Sequence, residues 1–134
     1  MGHWLTRLTD DSEGTRLCLE AGTVETLVDD LFRHYLTRQP GEGEKKRFVS
    51  LLKEGFNDRF CPEEERPLMP VPRRHRYVAW SNHLHSEATV IKAEMEEESR
   101  RGDAPTPRLR PVWREKAEDA IWAMMNAPEM VIIP

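Results

Sequence analysis

The residues most able to do chemistry by type and spacing are His83, His85 and Glu87, with His75 upstream. On a helix, His83 and Glu87 stand at i and i+4 and share a face, which is a workable two-ligand geometry for a transition metal. His34 is the candidate third ligand. The pattern stops there. No Glu has a His three residues later, as a di-iron carboxylate site would need, and no His-Glu-x-x-His occurs. A polar helix face carrying two exposed histidines explains the same residues more simply. A His/carboxylate metal enzyme around His83, Glu87 and His34 is therefore one alternative reading, and no cofactor is expected.

Nucleophilic chemistry has less to stand on. The chain lacks a Gly-x-Ser-x-Gly elbow, and neither Cys18 nor Cys61 sits in a Cys/His signature. Cys18, in an apolar run, reads as a small core residue, and Cys61 before Pro62 as an exposed bystander thiol. Two cysteines this far apart suit reduced thiols better than a disulfide. Residues 41–46, Gly-Glu-Gly-Glu-Lys-Lys, lack the spacing of a phosphate loop and a preceding strand. The expectation is a non-catalytic protein.

Binding chemistry offers two sets of residues. Arg73, Arg74 and Arg76 abut Tyr77 and Trp80, and Arg108 and Arg110 precede Trp113. Arginines interleaved with aromatics can hold phosphates and stack bases, so a nucleic-acid-associated accessory module is the second alternative. Against it, the same arginines have acidic neighbours such as Glu63 to Glu65 to pair with. The other set is apolar. Leu68, Met69 and Val71 lie between prolines on a stiff arm that has little ordering entropy left to lose on binding. Trp113, Trp122 and Met125 lie on a helix whose apolar residues cover more than one face, so that it needs burial from two sides or a contact with a partner.

Composition narrows the field. Lys plus Arg number 20 against 24 Asp plus Glu, a net charge of -4, so the chain is neither a strongly basic nucleic-acid binder nor a strongly acidic solvating tail. The signs are mixed locally: nine positive against eleven negative groups over residues 1–60, six of each over 76–110. Mean hydropathy is -0.71, and no apolar stretch approaches the roughly 18 residues of a spanning helix. Four Trp, four Phe and two Tyr give a core something to bury, which argues against full disorder. Residues 1–8 lack the basic and apolar regions of a secretory signal, so a cytoplasmic location is expected.

The elements that must position these residues are mostly helical. Residues 3–20 read as a short β-hairpin or an irregular arm, with Leu17 and Leu19 alternating against polar neighbours. Thr23 is an N-cap for a helix over 23–38, whose Val24, Leu27, Val28, Leu31, Phe32, Tyr35 and Leu36 follow the one-face repeat. A second helix is expected over 44–60 with Gly55 inside it, a third over 74–101 ending at Gly102, and a fourth over 112–126 stopped by Pro128. Seven of the ten prolines fall in two clusters, 62–72 and 105–111, which forbid helix or central strand and act as stiff connectors. The whole reads as one mainly α domain over 1–134, about four amphipathic helices in a bundle-like arrangement. The favoured function is a small protein-binding protein, an adaptor, accessory subunit or inhibitor, whose partner is another protein or a second copy of itself, with no membrane partner.

Overall fold

Ser12 opens the first helix of the computed structural model, which describes residues 4–69, 78–81 and 83–128. Its hydroxyl accepts the Thr15 backbone N–H at 3.2 Å, satisfying one of the donors that a helix start leaves without a partner. The helix, α1, runs Glu13–Glu20 and follows a 3-10 turn at Trp4–Thr6. A helix thus stands where a short hairpin or an irregular arm was expected over 3–20. The alternation of Leu17 and Leu19 was a poor guide, because helical spacing buries Gly14, Thr15 and Cys18 instead.

Four further helices follow among the described residues: α2 Val24–Leu36, α3 Glu42–Lys53, α4 Glu87–Arg101 and α5 Pro111–Met125. The protein is mainly helical. None of the described helices is long and apolar enough to cross a membrane.

The residues group into two units, Met1–Pro67 with Pro105–Pro134, and Leu68–Ala104. In the first unit, α2 packs against α1, α3 and α5, and α3 also packs against α5. Its buried face is the one the repeat predicts: Val24, Leu27, Val28, Leu31 and Phe32. Thr37 ends it in the left-handed conformation (φ 57°) and donates its N–H to the Arg33 carbonyl. Helix α3 stops at Lys53 rather than continuing to residue 60, because Gly55 takes φ 83° and turns the chain. A side chain there would also come within 3.5 Å of the Trp113 ring. Pro111 starts α5 at a first-turn position, where its missing N–H costs nothing. Trp113, Ala117, Ala120, Ile121 and Met124 then line one face, and each is 2% exposed or less.

The second proline cluster is an extended strap in this unit. Thr9 and Pro105 form an antiparallel bridge, as do Phe60 and Leu109. Thr106 N–H donates to the Leu8 carbonyl at 2.7 Å, Cys61 N–H to the Arg108 carbonyl at 2.9 Å, and Arg110 N–H to the Arg59 carbonyl at 2.8 Å. The prolines at 105, 107 and 111 lack donors, so the intervening residues make these bonds.

The second unit holds α4. Glu87–Arg101 accounts for part of the helix expected over 74–101. Residues 78 and 79 have no regular structure, 80, 81 and 83–86 form turns and a bend, and 74–77 lie outside the described residues. Gly102, at φ 66°, ends α4 and donates its N–H to the Glu98 carbonyl at 3.2 Å. Of the residues in α4, Ala88 and Ile91 are buried.

Candidate functional site

The basic set is largely committed to structure where it is described. Arg108 Nε lies 3.1 Å from Asp10 Oδ1, and its Nη2 donates to the Asp10 carbonyl at 2.8 Å. Thr106 Oγ1 donates to the same Asp10 carboxylate at 2.6 Å. Arg110 Nη1 donates to Glu65 Oε2 at 3.0 Å. Both arginines therefore hold the proline strap to its neighbours instead of standing open for phosphates. Arg73, Arg74 and Arg76 lie outside the described residues.

The described residues hold no group of three His, Cys, Asp or Glu able to hold a metal ion. His34 packs edge-on against Tyr35, with ring centroids 4.7 Å apart. His83 stacks on Trp80 at 4.7 Å and 24°, and its Nδ1 is hydrogen-bonded to the Trp80 carbonyl. Glu87 sits in the first turn of α4, where the helix dipole favours a carboxylate. Neither cysteine is a surface nucleophile. Both are free and buried, Cys61 at 7% exposure against the expectation of an exposed thiol. Burial pushes the Cys18 thiol up to about 12, so it carries no thiolate at neutral pH.

The apolar set divides. Trp113 is 2% exposed, packs edge-on against Phe56, and donates its indole N–H to the Leu52 carbonyl at 2.9 Å. It is a core residue, which removes it from any partner surface of the folded chain. Met125 is half-buried against the same core, and Trp122 is 40% exposed on α5. Leu68 is 98% exposed and Met69 is also exposed, whereas Val71 lies outside the described residues. Two further residues of the second unit are as open as Leu68: Trp80, 89% exposed, and Leu84, 88% exposed. Helical spacing offers Leu84, with either Trp80 or Ser81, as part of one face of the helix expected over 74–101; residues 80, 81 and 83–86 form turns and a bend instead, so that spacing does not apply to them.

One groove in the first unit, of about 210 Å³, is lined by Gly55, Trp113 and Val112 with charged side chains around them. It falls below the roughly 300 Å³ of a small-ligand site, and both cations on its rim are in ion pairs, Lys116 with Glu54 and Arg110 with Glu65, each at 3.0 Å.

Sequence reasoning also missed two buried charges. Arg59 is 4% exposed and lies between two rings, its guanidinium carbon 3.9 Å from the Phe56 centroid and 4.2 Å from that of Phe60. Its nitrogens donate to the carbonyls of Cys18, Ala21 and Phe56 at 2.8, 2.7 and 2.9 Å. Cys18 and Ala21 lie at the C-terminal end of α1, so Arg59 supplies donors that the helix end lacks and sits at the negative end of its dipole. Burial pulls the Arg59 pKa below its ordinary value. Glu118, 3% exposed, accepts the Leu8 N–H at 2.9 Å and ties the N-terminal segment to α5. Arg114 Nε lies 3.3 Å from the Glu118 carboxylate, within ion-pair range but outside hydrogen-bond geometry. An Arg between two Phe at 56–60 is the one local sign that could have marked the first site.

Comparison of the chain with protein-family models, with curated proteins and with solved structures finds no match.

Proposed function

We propose that the protein works without catalysis, by binding another protein through the unit Leu68–Ala104. The observation that carries this reading is the exposure of Leu68, Trp80 and Leu84, each at 88% or more, in a unit whose helix buries only Ala88 and Ile91. Large apolar side chains this open are unusual anchors for a fold and suitable ones for a partner. Burying each supplies about 1.5–3 kcal/mol, so the three give about 5–9 kcal/mol. Association itself costs about 4–15 kcal/mol, so these anchors need help from exposed Met69, Val90 and Met95 and from polar contacts to reach micromolar affinity.

The test is affinity capture with the full chain and with the triple variant Leu68→Ser, Trp80→Ser, Leu84→Ser, both checked for equal helicity by circular dichroism. Partners retained by the wild type should be lost by the variant. Native mass spectrometry of the same two proteins detects a second copy as the partner. An identical captured set and identical mass for both proteins would refute the proposal.

A further inference from the structure

The first unit is built from two separate stretches of chain. Its buried cluster is drawn from residues 8–56 and 109–124. Within the first unit, a clasp pairs the stretch that leads out to Pro67 with the stretch that leads back from Pro105: Phe60 is bridged to Leu109, with Cys61 N–H on the Arg108 carbonyl and Arg110 N–H on the Arg59 carbonyl. Both sides of the clasp are held independently. On the leaving side, Arg59 is fixed by three carbonyls, and Arg66 Nε donates to the Cys61 carbonyl at 3.0 Å. On the returning side, Thr106 is bonded to Leu8 and Asp10.

A loop whose two ends are already fixed side by side adds closure entropy only slowly with length, so the host can carry a long insertion at little cost. The inserted helix α4 buries only Ala88 and Ile91, whereas α2 and α5 each bury a full face. Regions with few buried apolar contacts open at lower free energy than the global fold. We infer that Met1–Pro67 with Pro105–Pro134 is a self-sufficient host, and that the inserted unit Leu68–Ala104 opens and recloses without unfolding it. This inference is independent of the binding proposal, which concerns only what the insertion's surface touches.

Native-state hydrogen exchange on the full chain tests it. Amides of α4 should exchange at least about 100-fold faster than the buried amides of α2 and α5, with a weaker dependence on denaturant. Exchange of all three helices at one free energy and one denaturant slope would overturn it. The variant Ile91→Asp gives a second arm. Protection in α4 should fall while that of α2 and α5 stays within about twofold. An equal loss in all three helices would show one cooperative unit and reject the inference.

Discussion

Arg59→Leu is the most informative single substitution. Leucine keeps an apolar side chain between Phe56 and Phe60 and removes every side-chain donor. The Phe56 carbonyl retains a second partner, the Arg59 backbone N–H at 3.3 Å. The Cys18 and Ala21 carbonyls lose the Arg59 donors at the end of α1, where no further helical turn replaces them. Two buried carbonyls stripped of these donors cost about 2–6 kcal/mol. Loss of a desolvated cation between two rings adds about 2 kcal/mol. The desolvation that lowers the Arg59 pKa works the other way, since leucine has no charge to bury. A net loss of about 3 kcal/mol is expected, a large share of the roughly 5–15 kcal/mol that a domain has. Urea unfolding followed by tryptophan fluorescence reads it directly, because Trp113 is buried. Arg59→Lys should fall between the two, since a single ammonium cannot span three carbonyls as the planar fork does. A loss below about 1 kcal/mol for the leucine variant, or a lysine variant as stable as wild type, would refute the capping argument.

Gly14→Ala should destabilise by about 1–3 kcal/mol, because an added methyl meets the Tyr35 hydroxyl at 2.8 Å and Leu8 at 2.9 Å; Tyr35→Phe in the same chain should recover part of the loss in a thermal melt. Glu44 accepts from Arg38 and from the Gly41 N–H, and these hold its carboxyl at about 2, below its unfolded value. A depressed carboxylate stabilises above the unfolded pKa and loses that contribution as pH falls through the folded one. Glu44→Gln should therefore cost about 0.5–1 kcal/mol at pH 7, discounted for its exposure, with the gap closing between about pH 4.5 and pH 2 in acid titrations of stability. Cys18 should resist a thiol reagent at pH 8 in the folded chain and react on unfolding; fast labelling of Cys18 in native protein, read by mass spectrometry of the digest, would contradict its burial.

Much of the first unit is legible along the chain because it rests on local rules. Thr23 as an N-cap, the one-face repeat of α2, and Pro111 and Pro128 around α5 each act within one or two turns, and the helices lie where those signals put them. The ends of the other helices were less legible. Gly55 inside a periodic pattern reads as a tolerated defect, but its left-handed conformation beside Trp113 makes it a stop. The spacing of Leu84 with Trp80 or Ser81 reads as part of a helical face, and the chain turns there instead.

Sequence alone therefore determined the mainly helical class, the buried face of α2, and the proline strap as a segment that neither helix nor sheet could absorb. Tertiary structure decided which charges are structural. Arg108 looks like part of an open basic run until Asp10, distant in sequence, meets it, and Arg110 takes Glu65 from among the acidic residues that the sequence offered only as a group. Arg59 looks like a surface residue until the end of α1 is placed against it. The physical reason is common to all three. Helix periodicity and capping depend on neighbours within about four residues, whereas the cost of burying a charge depends on partners that only folding brings within reach.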